Sequence, residues 1–206
     1  MELDGIKLDK ESWLAVEATA KEKREELFIK FKDELVEFLV KQKVPNALEL
    51  CKKACIPVKT KKLSKFLEEI TDLSNLRGWL TENFNVKSPK QMHTTFNLMG
   101  IKVKDTNRKT LEEYVKKSKK EIPIISLLLE IRGYDKQIDT YGSNVLDFIK
   151  PLTGKIHTEY STVGTATVRF SSKNPNMQNV PRDGGYRESF IADEDYYIVP
   201  IDYSQQ

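Results

Sequence analysis

The sequence has little cysteine, little histidine and no long apolar run. Two cysteines, Cys51 and Cys55, in 206 residues exclude a disulfide scaffold and point to a reducing compartment. Their four-residue spacing, with only His93 and His157 as nitrogen donors, reads as buried helix positions rather than a structural zinc site. No apolar stretch approaches the roughly 18–20 residues of a membrane span. The opening MELDGIKLDKE lacks the basic and apolar regions of a signal peptide, so a cytoplasmic protein with no membrane partner is expected. No glycine-rich phosphate loop and no defensible Ser/His/Asp order is present. The 34 Lys+Arg against 31 Asp+Glu leave a net charge of +3, which excludes a polycation but not a local basic groove. At 39% hydrophobic and 32% charged residues, the chain is polar yet able to build the cores of one or two domains.

What is present is helical first and extended later. Asp9 reads as an N-cap, and neither Gly nor Pro interrupts Lys10 to Lys43. Phe28, Phe31, Leu35 and Phe38 recur at helical spacing there, while Trp13, Leu14 and Val16 serve the weaker first half. Lys41 to Lys65 carries eight Lys and one Glu, either a phosphate-facing patch or a solvated helix surface. Leu63, Phe66, Leu67, Ile70, Leu73, Leu76 and Leu80 predict one or two short helices, with Trp79 packed among them. Ser88-Pro89 reads as an N-cap with Pro at the first helical position. Met92, Phe96 and Met99 continue that helix, and Gly100 closes it. Thr110 to Glu113 reads as a capping box. Pro123 opens a longer helix with Ile124, Ile125, Leu127, Leu128 and Ile131 as its core face.

The character changes at Pro151. Lys155–Thr162, Arg187–Ala192 and Tyr196–Tyr203 read as strands, with Asp193-Glu194-Asp195 as a turn. The expected class is α+β: a helical domain over 1–150, with an insertion at 44–82, and a strand-bearing segment over 151–206. Two features carry chemistry. Asp202 ends the apolar run YYIVPID, a place suited to a hard cation such as Mg²⁺, although an isolated carboxylate there more often caps a turn. Between the first two strands lies a stretch dense in hydroxyls and amides: Thr165, Thr167, Arg169, Ser171, Ser172, Asn174, Asn176, Gln178 and Asn179. Such groups donate to and accept from base edges, sugars and phosphates. They equally well cap the turns of an Asn-rich loop.

The C-terminal quarter resembles the start of the palm of family A DNA polymerases, the bacterial DNA polymerase I type. The matching runs are TGKIHTEY (153–160), TATVRFSS (165–172), NPNMQNVP (174–181), RESFIA (187–192) and DYSQ (202–205). They stand in the family's order and near its spacing. FNVKSPKQ (84–91) through Ile101, and EIRGYDK (130–136) through Tyr141, resemble the family's thumb more weakly, as does GIKLD (5–9). Val44 to Glu82 has no counterpart and reads as a thumb insertion, a feature that fits a phage source.

The resemblance implies roles. Asp202 takes the place of the first palm aspartate, a ligand of both catalytic Mg²⁺ ions, with the Tyr203 carbonyl beside it. Arg169 takes the place of the arginine in the minor groove at the primer terminus. Asn176, Gln178 and Asn179, with the hydroxyl and amide residues around them, take the places of groups that contact primer and template. Arg132, Lys136, Thr140 and Tyr141 correspond to the thumb helix that grips the duplex backbone, and Arg182 and Arg187 fall near the DNA. Minor-groove acceptors vary little between correct pairs, so such contacts test pair shape without reading sequence. Three positions depart from the family. Val168 stands where Gly is usual, Pro200 lies inside the strand before Asp202, and Gln206 replaces an apolar residue.

By the same resemblance, the nucleotide-holding fingers and the second metal-binding aspartate lie beyond residue 206. One carboxylate does not arrange two Mg²⁺ ions. The expectation is therefore a thumb and N-terminal palm portion that binds primer-template DNA. It would engage dNTP only once completed by a second polypeptide or segment. The alternatives are a non-catalytic DNA-binding or accessory module, and a protein-docking domain using the 44–82 insertion.

Overall fold

The structure, a computed structural model, describes residues 4–41, 78, 84–118, 122–162 and 169–199. The basic run after Lys41, Cys51, Cys55 and nearly all of the 44–82 insertion lie outside the described residues. The described elements are strand β1 (Ile6–Leu8), helices α1 (Lys10–Lys41), α2 (Pro89–Leu98), α3 (Arg108–Ser118) and α4 (Pro123–Tyr141), a 3-10 helix (Ser143–Phe148), and strands β2 (Lys155–Ile156), β3 (Glu159–Ser161), β4 (Ser171–Lys173) and β5 (Phe190–Ile191). No described helix is long and apolar enough to cross a membrane.

The residues form two compact units, one of 1–23 with 134–206 and one of 24–133. The division expected near residue 150 does not coincide with them. Both long helices contribute to both units, and the N-terminal strand belongs with the C-terminal segment.

In the unit of 24–133, the helical signals read from the sequence mostly hold. Phe28, Phe31 and Leu35 are buried with Phe96, Leu111, Ile124, Ile125, Leu128 and Ile131, and Phe31 stacks on Phe84 with centroids 5.9 Å apart. Each fully buried side chain of this size contributes about 1.5–3 kcal/mol. Ser88 caps α2, its hydroxyl accepting from the Gln91 N–H at 3.4 Å, and Gly100 follows the helix at φ +75°. The predicted box at Thr110 is corrected: α3 begins two residues earlier. The Leu111 N–H already reaches the Asn107 carbonyl at 3.0 Å, and the Asp105 carboxylate accepts from the Asn107 N–H at 2.9 Å. Asp105 sets the turn before the helix, so Thr110 is left inside it. The Thr110 hydroxyl and then the Asn107 N–H hold the Asp105 carboxyl below its usual range.

The second unit holds both small antiparallel sheets. Asp9 caps α1 as expected, with its carboxylate accepting from the Glu11 and Ser12 N–H groups at 3.1 and 3.2 Å. Just before it, β1 is the middle strand of the order β2-β1-β5. Ile6 faces Ile156 and Leu8 faces Phe190. Gly5 permits this approach: at φ +70°, a Cβ there would lie 2.8 Å from His157 Nε2 and from Lys155 Cβ. The core joins Leu8, Trp13, Tyr141, Val145, Ile156, Val180 and Tyr186.

The strand forecasts need correction. Lys155–Thr162 is not one strand: β2 and β3 are separated at His157-Thr158 and belong to different sheets. The cause is local. The His157 ring bonds the Thr153 hydroxyl at 2.7 Å, and the buried Thr158 hydroxyl turns inward onto two carbonyls. Of Arg187–Ala192 only Phe190–Ile191 pairs, because residues 186–189 form a turn. Tyr196–Val199 is exposed and carries no strand; the remainder of that forecast lies outside the described residues. The acidic turn is present, with Asp195 at φ +64° and Asp193 ion-paired to Lys155.

Candidate nucleic-acid interface

β3 and β4 pair with Glu159 opposite Lys173, Tyr160 opposite Ser172 and Ser161 opposite Ser171. From β4 the chain runs through a polar loop to Val180. Two apolar residues secure it: Val180 is buried in the core, and Met177 packs against it. Lys173, Asn174, Asn176, Gln178 and Asn179 remain exposed.

Much of the loop's hydrogen-bonding capacity is used internally. Ser172 is 4% exposed. Its hydroxyl accepts from the Met177 and Gln178 N–H groups at 2.9 and 3.2 Å and donates to Asn176 Oδ1 at 3.3 Å. That fills the one donor and two acceptor sites of a hydroxyl. The Gln178 amide behaves like a strand partner: Oε1 accepts from the Ser172 N–H at 3.1 Å, and Nε2 donates to the Phe170 carbonyl at 3.1 Å. Asn174, at φ +58° in a region Asn tolerates, donates from Nδ2 to Glu159 Oε1 at 3.2 Å. The Thr158 hydroxyl, on a residue only 2% exposed, reaches the Lys173 and Pro175 carbonyls at 3.0 and 2.6 Å.

The residues expected to meet DNA therefore separate. Arg169, Asn176, Asn179 and Arg182 are exposed around the loop, and Lys136 and Thr140 are exposed on α4. Asn176 Oδ1 also accepts from Ser172 and Gln178, and four others have internal partners too. Besides Ser172 and Gln178, Tyr141 is buried and its hydroxyl donates to the Asn176 carbonyl at 3.5 Å, with burial raising its pKa. Arg187 donates from Nε and Nη2 to the Val180 carbonyl at 3.3 and 3.1 Å. Ser171 is half-buried within β4. In the other unit, Arg132 donates to the Thr106 carbonyl and, at 3.3 Å, to the Thr106 hydroxyl. Thr165, Thr167, Asp202 and Tyr203 lie outside the described residues.

Two features escaped the sequence reading. One is Thr158, hidden inside what looks like an ordinary strand. The other is a lysine row in the unit of 24–133, where Ile101 and Val103 are buried while Lys102 and Lys104 are exposed, followed by exposed Arg108 and Lys109. Their period-two alternation was the available signal. Among the described residues no group of three or more His, Cys, Asp or Glu could hold a metal ion.

Behind the loop stands an aromatic cluster. Trp13 meets Tyr186 edge-on at 4.8 Å and Phe190 at 5.7 Å, and its indole N–H donates to the Gly142 carbonyl at 3.1 Å. Burial, with the nearby Glu17 carboxylate second, pushes the Tyr186 phenol up to about 12.

The model of DNA polymerase family A matches residues 56–206. DNA polymerase I of Deinococcus radiodurans is 34% identical over 142 residues, covering 64% of this chain and 15% of that protein. DNA polymerase I of Geobacillus stearothermophilus is 32% identical over 167 residues, covering 73% and 19%. The thermostable DNA polymerase I of Thermus aquaticus is 34% identical over 132 residues, covering 59% and 16%. The POL domain of Pol1 from M. smegmatis, solved with DNA primer-template and dNTP, superposes with a TM-score of 0.53 at 21% identity. That match covers 94% of this chain and 28% of that one, and it speaks for the fold. The chain thus spans 15–19% of the length of these curated relatives.

Proposed function

This chain belongs to DNA polymerase family A, and from that premise we propose that it is the part of the polymerase that holds the primer-template duplex and supplies one catalytic carboxylate. The supporting observation is the 169–182 loop: apolar residues anchor it, while Arg169, Asn176, Asn179 and Arg182 stay exposed. In this reading Lys136 and Thr140 meet the duplex backbone. Taken by itself, the unit of 24–133 offers the exposed Lys102, Lys104 and Lys109 for sequence-independent phosphate contacts. Tyr141, Ser172, Gln178 and Arg187 shape the loop's interface from within, and Arg132 braces the unit of 24–133 through Thr106.

Asp202 and the Tyr203 carbonyl are hard oxygen donors of the kind Mg²⁺ takes, and this donor chemistry fits the family's metal. When bound, the ions stabilise the attacking and leaving oxygens of nucleotidyl transfer. In this reading the chain's own residues bind duplex and orient its end, and Asp202 is the carboxylate it contributes. The family's thumb and N-terminal palm are the parts to which we assign the segment, with dNTP engaged by the complete polymerase.

The test is binding of a primer-template by the purified chain across a salt series, followed by primer extension with dNTPs. Log affinity is expected to fall linearly with log salt, by about 0.9 per phosphate neutralised. The 206 residues are expected to leave the primer unextended, since two-metal transfer needs further carboxylates. In the complete polymerase, Asp202→Ala is expected to abolish extension. Salt-independent binding, or extension by the purified chain that Asp202→Ala removes, would refute the assignment.

A further inference from the structure

Asn176 is held by its carbonyl and by its side chain. Its carbonyl accepts from the Tyr141 hydroxyl at 3.5 Å, and its Oδ1 accepts from the Gln178 N–H at 3.2 Å and the Ser172 hydroxyl at 3.3 Å. Both side-chain partners are donors, so the amide oxygen must face inward. Its Nδ2 donors are then the part of the side chain presented to solvent, on a residue that is exposed. Ser172 fixes this orientation from a buried position. Thr158 supports it from the neighbouring segment by pinning the Lys173 and Pro175 carbonyls on either side of the turn.

We propose that Ser172 and Thr158 are positioning residues that fix Asn176 with its N–H donors outward, toward the minor-groove acceptors of the primer-terminal base pairs. Neither hydroxyl touches the DNA. The chemistry selects the groove: a fixed donor suits the A N3 and T O2 acceptors, which A·T and T·A pairs share. An amide free to rotate would offer its oxygen as readily and lose that selectivity. Gln178, with both amide ends engaged by the chain, is structural. The inference rests on the duplex-binding reading above.

The test is a fluorescence-anisotropy titration of primer-template by the 206-residue chain, with either adenine or 3-deazaadenine in the primer-terminal pairs. The analogue replaces the N3 acceptor with C–H and keeps the base pair. Wild-type protein is expected to bind the adenine duplex about fivefold more tightly, the effect of one hydrogen bond. Ser172→Ala and Asn176→Ala are expected to lower that ratio. Thr158→Val is expected to lower it, and Thr158→Ser, which restores the hydroxyl, to recover it. If Ser172→Ala does not fold, the Thr158 pair and Asn176→Ala decide the matter. A ratio preserved in the folded Ser172 and Thr158 variants would make both hydroxyls merely structural and overturn the proposal. A wild-type ratio of one, with salt-dependent binding intact, would overturn it and leave duplex binding standing. Absence of any salt-dependent binding would remove the duplex reading, and this inference with it.

Discussion

Gly142 follows α4, and its surroundings leave no room for a side chain. A Cβ there would lie 2.5 Å from the Ile138 carbonyl oxygen, 2.7 Å from Glu17 Oε1 and 3.2 Å from Glu17 Cδ. The first obstacle is backbone. The second is a carboxylate on a 5% exposed residue, held by Lys21 at 2.8 Å. Neither yields cheaply. Gly142→Ala must therefore displace the chain, and overpacking of this kind costs about 1–3 kcal/mol. The carbonyl of Gly142 itself, which moves with the chain, accepts from the Trp13 indole N–H at 3.1 Å, and weakening that bond adds about 1 kcal/mol. The expected loss is about 2–4 kcal/mol, read as a lower midpoint in urea unfolding followed by circular dichroism. Gly133→Ala is the control. Gly133 sits inside α4 with nothing within 4 Å of a built Cβ, so alanine there is expected to add about 0.5–1 kcal/mol. Gly142→Ala within about 0.5 kcal/mol of wild type would refute the packing argument.

Three further outcomes follow from the same geometry. The Tyr186 hydroxyl is buried without a hydrogen-bond partner, so Tyr186→Phe is expected to stabilise by about 1 kcal/mol in denaturant titrations at neutral pH. Its phenol titrates at about 12 when folded and at about 10 when unfolded. The unfolded chain thus loses its proton first; the contribution is full below about pH 10 and lost as pH rises through 12, a decline that Tyr186→Phe should flatten. Arg132→Ala removes charged donors from Thr106 and is expected to cost about 1–2 kcal/mol of stability in thermal melts. Lys136→Ala, at an exposed site, is expected to weaken duplex binding and reduce the salt slope by about one, with unfolding unchanged.

The helical elements were legible because their apolar spacing and caps agree. Asp9, Ser88 and Pro123 each start a helix where their chemistry predicts. The first half of α1 was obscure for a physical reason: its buried positions are Trp13, Glu17 and Ala20, and a buried carboxylate breaks the apolar pattern. The strands were less legible because each is only two or three residues long, and side-chain bonds decide where they stop. At the candidate interface, composition located the polar loop but could not divide its members. Ser172 and Asn176 are equally polar in sequence, yet the first is buried, its hydroxyl spent on two backbone N–H groups and on the Oδ1 of the second, while the second remains exposed. Arg132 and Lys136 are one helical turn apart, and only the first is tied to Thr106.

The middle position of β1 bears on how the chain acquires its shape during synthesis. Lys7 pairs with both Lys155 and Ile191. At about 5–20 residues per second, translation of Lys7 precedes that of Lys155 by roughly 7–30 s and that of Ile191 by roughly 9–37 s. Over that interval Leu8 and Trp13 have no completed sheet or aromatic cluster to enter, whereas the contacts of residues 24–133 are made within a shorter stretch of nascent chain. Pulse-labelled ribosome-bound chains should therefore gain protease resistance in residues 24–133 first. The N-terminal strand should remain open to cleavage until the 190–191 segment has left the exit tunnel.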